Sequence, residues 1–199
     1  MERLMYRFFL GLLISAIVAF PAAADYSAGA AAYNNGDYQT ARNAYLTSAD
    51  DGDSRSQFGL AVMYHTGKGG EKDYAKARNW YTKAAEQGNA KAQNNLGIMY
   101  RRGHGVKRDG REAFAWIWMA AMQGYARAEM NLAEMYMLGE GARKDLPMAY
   151  AWLESAVSNL TGKSRDKAEN RKNFILAELS DGDIVRAKRM AKGLRIARR

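Results

Sequence analysis

The sequence predicts an all-α, right-handed superhelical solenoid of helix-turn-helix repeats, ended by two closing C-terminal helices. Three observations predict it. Residues of one kind recur every 36 positions: Asp37, Asp73, Asp109 and Asp145; Ala41, Ala77, Ala113 and Ala149; Tyr64, Tyr100 and Tyr136; Trp80, Trp116 and Trp152. Inside each period the apolar residues fall at helical spacing, as with Leu96, Met99 and Tyr100. The composition, 48% hydrophobic and 26% charged with no cysteine, suits a chain held together by packing and excludes a disulfide framework.

Met1 to Arg7 carries Arg3 and Arg7, Phe8 to Phe20 is an apolar run, and Pro21 precedes Ala22, Ala23 and Ala24. A charged start, a short apolar stretch and a small-residue exit predict a secretory signal over residues 1–24, cleaved near Ala24. The competing reading is an N-terminal anchor, for which the run falls short of the ~20 residues a bilayer needs. Residues 25–53 form a shortened opening repeat whose turn is NNGDY and whose second helix carries Ala41, Tyr45 and Ala49. Full repeats then occupy 54–89, 90–125 and 126–160. In the middle one, Gly97 sits inside the first helix where the second helix must come close. The loop RRGHGVKRD supplies Gly103 and Gly105 at positions that call for positive φ. Asp109 caps the next helix, with Glu112 three residues on in capping-box register, and Ala113, Trp116, Ala120 and Ala121 face inward. Gly52, Gly88 and Gly124 close the units. Residues 161–199 are the basic closing region: one helix from Lys163 to Leu179, then one from Asp181 to about Ala197, capped by Ser180 or Asp181. Ile184, Ala187, Ala191 and Leu194 turn inward to seal the last open face.

The series Ala92, Leu96, Gly97, Tyr100, Gly103, Gly105, Val106, Asp109, Ala113, Trp116, Ala120, Ala121, Gly124 resembles the Sel-one-like repeat (SLR), the longer-looped relative of the tetratricopeptide repeat. The second and fourth units depart from it at the valine column, with Gly70 and Ala142, and the opening unit is closer to a tetratricopeptide unit. The resemblance covers about residues 26–160. It implies a scaffold whose superhelical face holds another protein, and for an exported bacterial chain a regulatory or envelope-associated adaptor.

Little in the sequence speaks for catalysis. The three G-x-G loops follow no strand and complete no phosphate-binding pattern, so they read as turns. His65 and His104 are the only imidazoles, fall in different repeat columns and lack metal-ligand spacing. No catalytic residue, metal or cofactor is predicted. Arg55, Lys91 and Arg127 lie 36 apart, each on a first helix, and would stack into a basic ladder able to clamp carboxylates of an acidic partner; the plainer reading is a solvated surface position. Trp118 shares its column with Thr82 and Glu154, which implies solvent exposure and suits an interface anchor, unless it packs under a flanking helix. Met130 and Met137 lie off the Leu132–Tyr136 stripe, as core filler or as the lining of a groove.

The formal charge of +9 is uneven: residues 163–199 hold 12 basic and 5 acidic side chains, residues 25–162 hold 16 and 15. The tail face of Arg186, Lys188, Arg189, Lys192 and Arg195, continued by Arg198 and Arg199, is a solvated cap, a steering patch for an acidic partner, or a contact for anionic lipid or wall polymer. Nucleic acid is not expected behind a signal peptide. The expectation is a non-catalytic periplasmic or secreted adaptor for another envelope protein, shaped to it by the first helices on a concave surface. Two other readings stand beside it: a cell-wall or membrane-surface tether driven by the tail, and a hydrolase of wall-derived substrates working through His65 or His104.

Overall fold

Each second helix begins where the sequence repeats an aspartate. The computed structural model describes residues 22–196, with side chains for 26–194. The side chain of Arg195, all of Arg198 and Arg199, and residues 1–21 of the expected signal lie outside the described residues. Ten helices run in order: α1 (Ala22–Asn34), α2 (Tyr38–Asp50), α3 (Ser54–Thr66), α4 (Tyr74–Glu86), α5 (Ala90–Arg102), α6 (Gly110–Met122), α7 (Ala126–Leu138), α8 (Leu146–Asn159), α9 (Gly162–Glu178) and α10 (Asp181–Ile196). Asp37, Asp73, Asp109 and Asp145 each accept a hydrogen bond from a first-turn amide of the helix that follows. Such a cap contributes about 1 kcal/mol. Asp53 and Asn89 do the same for α3 and α5, while Tyr125 starts α7 with no side-chain cap.

From α1 to α8 consecutive helices pack as antiparallel pairs, and each pair rests on the next. None of the helices is long and apolar enough to cross a membrane, among the described residues. Ala41, Ala77, Ala113 and Ala149 are fully buried, as are Leu60, Leu96 and Leu132 within about 1%. The interior falls into two clusters that meet at Tyr100. One expected inward residue is only half-buried: Trp116 yields the centre of the α6 stripe to Ile117, at 0% exposure. The Ile117 column is central in every repeat, its other members Tyr45, Tyr81 and Leu153 lying at 5%, 2% and 0% exposure. At Gly97 the approach is close, an added Cβ there lying 2.6 Å from Ile117 Cγ1 and 2.9 Å from the Ala113 carbonyl oxygen.

The loops work the same way between repeats. Gly103 ends α5 in the left-handed region, φ 74°. Gly105, φ 67°, brings its backbone against the preceding repeat: a Cβ would lie 2.6 Å from the Tyr74 carbonyl oxygen, at the first residue of α4. Gly69 meets the Tyr38 carbonyl in the same way, and Gly141 meets that of Gly110.

A polar column crosses the same seams. Gln57 Nε2 donates to the Ala49 carbonyl (3.1 Å) and Gln93 Nε2 to that of Ala85 (3.0 Å). Their Oε1 atoms accept from Gln87 and Gln123, both at 2.7 Å. Each glutamine thus ties the end of one repeat to both helices of the next. In the fourth repeat the column holds Glu129, which is 0% exposed and accepts from Ser155 Oγ (3.2 Å).

At the far end α9 occupies the place of a further first helix, and α10 folds back chiefly onto α8. Ser180 caps α10, its Oγ accepting from the Asp183 amide (3.2 Å). Ala187 and Ala191 are buried, and Ile184 and Leu194 partly so.

Two stability outcomes follow from these contacts. Gly97→Val should destabilise the fold by about 2 kcal/mol through overpacking, whereas Gly193→Ala, at an open α10 site with nothing within 4 Å, should stabilise by up to about 1 kcal/mol; urea unfolding of both separates close approach from helix propensity.

Candidate partner-binding face

Arg55, Lys91 and Arg127 are each the second residue of a first helix: α3, α5 and α7. All three side chains are exposed. Arg55 is held in place, its Nε and one Nη donating to Asp53 Oδ2 at 3.2 and 2.8 Å. Its guanidinium lies 4.6 Å over the Tyr26 ring. Among the described residues neither Lys91 nor Arg127 forms an ion pair.

One and two turns further along the same helices the chemistry changes from repeat to repeat. Beside Arg55 stand Phe58, Gly59 and Val62; beside Lys91, Asn94, Asn95 and Ile98; beside Arg127, Met130, Asn131 and Glu134. The three asparagines form a chain of amides. Asn131 Nδ2 donates to Asn94 Oδ1 (2.8 Å), Asn94 Nδ2 to Asn95 Oδ1 (3.2 Å), and Asn95 Nδ2 to the Tyr81 hydroxyl (3.1 Å). Tyr45, one repeat before Tyr81, has Gly59 where Tyr81 has Asn95. A cavity of about 130 Å³ opens there, lined by Tyr26, Tyr33, Tyr45, Arg55, Phe58, Gly59 and Val62. Burial, with Tyr26 and Tyr33 beside it, pushes the Tyr45 phenol up to about 12.

Toward the C-terminus the face is closed by ion pairs. Arg101 bonds Glu134 (2.9 Å) and Glu140 (2.7 Å), Arg171 of α9 reaches Glu134 (3.1 Å), and Arg108 reaches Glu140 (2.8 Å). Burial alone would push both carboxyls up, but their arginine partners hold them below the usual carboxylate range. The third loop, basic in the sequence, is therefore partly self-neutralised. In the tail, Arg186 pairs with Asp145 (2.9 Å), the N-cap of α8. Lys188, Arg189 and Lys192 are exposed.

Trp118, 43% exposed, stands on α6, a second helix, and is not brought to the cationic ladder. Leu46, 39% exposed, lies two repeats earlier in the same column. Met130 and Met137 are partly buried against the C-terminal cluster, while Met63, Met99 and Met135 lie within it or its N-terminal counterpart.

The structure joins the two histidines that repeat columns separate. His104 lies one column period plus one helical turn beyond His65, a signal the column comparison passes over. Their ring centroids are 6.0 Å apart, with Tyr74 stacked on His104 at 4.6 Å and edge-on to His65 at 5.2 Å. Neither Nδ1 has a hydrogen-bond partner among the described residues. Reading single columns also misses the tyrosine pocket and the amide chain. Comparing the columns three and four residues after the ladder cations would have exposed both.

The Sel1 repeat family model matches residues 54–89, 90–125 and 126–159, more than half of the chain. Among solved structures, the chain is similar to a Sel1 repeat protein from Oxalobacter formigenes, with 33% identity and a TM-score of 0.67 over 73% of this chain and 58% of that one. It is similar also to a protective antigen of uropathogenic Escherichia coli displaying an SLR fold, with 27% identity and a TM-score of 0.52 over 87% of this chain and 45% of that one. The chain thus spans about half the length of these relatives. No curated protein matches it.

The imidazole pair yields a pH dependence. Burial first, then the charges of His104, Lys72 and Arg102, depress the His65 pKa below its ordinary 6.5, so the fold favours the neutral ring. A depressed histidine contributes its stability above the unfolded value and loses it as pH falls below about 6.5. Stability should drop between pH 7.5 and pH 5.5, and His65→Phe, which keeps the ring packing, should reduce that drop in paired urea titrations. An unchanged drop would remove His65 as its source.

Proposed function

The chain belongs to the Sel1 repeat family, and from that membership and the chemistry of its first helices we propose an exported, non-catalytic adaptor that binds another envelope protein along that face. The observation that carries the reading is the row Arg55, Lys91 and Arg127 beside a chain of side-chain amides. Two of the three cations have no intramolecular carboxylate among the described residues, and stacked repeats present them at regular intervals. Cations so spaced suit carboxylates along a partner's surface, and the amides of Asn95 and Asn131 suit an extended backbone, which offers both donors and acceptors. Export rests on the charged start, the apolar run and the alanine exit of residues 1–24, and periplasm is the proposed location. The tether reading retains Lys188, Arg189 and Lys192, with Arg186 engaged on Asp145.

The test is a crosslinking pull-down from envelope extract with the unmodified protein and an Arg55→Glu/Lys91→Glu/Arg127→Glu variant. Capture of a specific protein should fall about tenfold or more in the variant, the equivalent of about 1.4 kcal/mol spread over three rim charges. Equal capture by both would move the contact off the ladder, to Trp118 or the tail. Recovery of wall fragments or lipid in place of a protein would favour the tether.

A further inference from the structure

The pocket between α1 and α3 differs in kind from the rest of the first-helix face, and one residue makes it so. Tyr45 and Tyr81 are the same column in successive repeats, both buried, at 5% and 2% exposure. Over Tyr81 stands Asn95, which fills the space and bonds the hydroxyl at 3.1 Å. Over Tyr45 stands Gly59. An added Cβ would lie 2.9 Å from Tyr45 Cε2 and Cζ, so the ring packs directly on the α3 backbone, and no side chain from that position enters the groove. Gly29 of α1 approaches the opposite side of the ring, its Cβ position 2.7 Å from Tyr45 Cδ1 and Cε1. Tyr26, Tyr33, Phe58 and Val62 complete the walls, and Phe58 is buttressed by Tyr81 at 6.0 Å between centroids.

The cavity is about 130 Å³. That is well below the roughly 300–1,000 Å³ of sites for drug-sized molecules, and close to the roughly 150 Å³ that accommodates one benzene ring. It is the size of a single side chain. Its rim carries Arg55, fixed by Asp53 and by the Tyr26 ring, with guanidinium N–H groups beyond the two that Asp53 occupies. The exposed cations Lys91 and Arg127 continue from there along α5 and α7. An apolar pocket at the head of a cationic row is complementary to an apolar residue flanked by carboxylates.

We infer that the pocket holds one leucine-sized or aromatic side chain of an acidic, extended segment of the protein partner, with Arg55 on the neighbouring carboxylate. This rests on the adaptor reading above and adds the residue that gives it selectivity. Inorganic phosphate fits the cations but leaves the pocket unfilled.

The experiment uses the purified protein and three fluorescein-labelled peptides, Asp-Glu-Xaa-Glu-Asp with Xaa as Leu, Phe or Ala and both ends blocked, titrated by anisotropy. The Leu and Phe peptides should bind about tenfold more tightly than the Ala peptide, the order expected for burying one such side chain. Gly59→Asn puts a side chain into the pocket mouth, and because its Cβ would lie 2.9 Å from the Tyr45 ring that ring must shift, so the variant's urea midpoint is measured beside its titrations to show that it is folded. The variant should bring the three peptides to one affinity, near that of the Ala peptide for the unmodified protein. Equal binding of all three by the unmodified protein overturns the pocket, and so does a Leu preference that survives Gly59→Asn. If that equal binding is lost on Lys91→Glu/Arg127→Glu, the adaptor reading stands without the pocket. No binding of any peptide likewise overturns the pocket, while the pull-down of a folded partner still decides the adaptor reading independently.

Discussion

The spacing of the array depends on backbone touching backbone. The second glycine of each long loop lies against the carbonyl of the first residue of the preceding second helix: Gly69 on Tyr38, Gly105 on Tyr74, Gly141 on Gly110. At these points backbone meets backbone, so main-chain contact limits how closely neighbouring repeats approach. Both requirements, positive φ and no Cβ, select glycine. The 36-residue period is thereby a length constraint: each loop must return to the same carbonyl before the next aspartate can cap its helix. The opening turn, only Asn35 to Asp37 between α1 and α2, omits the long loop.

Polar groups then fix what the glycines bring together. Gln57 and Gln93 donate to carbonyls at the ends of α2 and α4, each of which also accepts from the amide of the glycine that follows, Gly52 or Gly88. Because each glutamine also accepts from the following second helix, the seam is joined on both sides. Arg101, Glu134, Glu140, Arg108 and Arg171 perform a related task at the C-terminal end, linking α5 and its loop to α7 and α9. These charges are largely engaged within the chain, and the proposed binding chemistry lies on α3, α5 and the start of α7.

Much of the fold was legible because a repeat states each rule several times. Aspartate caps, loop glycines and alanine columns recur in register, and the closing helices lie within a residue or so of their expected starts. Trp116 is half-buried although its column mates Trp80 and Trp152 are buried, and Ile117, one residue on, lies at 0% exposure. The ladder cations were found by the same column logic, and their position at the first turn of each helix follows from the register. What column logic hides is difference. Gly59 against Asn95 is a departure from the repeat, and departures look like noise until two equivalent tyrosines can be compared in space. The histidine pair escaped for another reason: its members are offset by a helical turn, so only a three-dimensional stack brings them together.

A stacked array is in principle a polymer, since whatever lets one repeat receive the next would let one molecule receive another. The α8 helix has α9 on one side and α10 on the other, and Arg186 of α10 ties itself to the very aspartate that starts α8. A further unit could stack on α8 only by displacing α10 and breaking that pair, so on this helix extension of the array competes with a contact made within the chain.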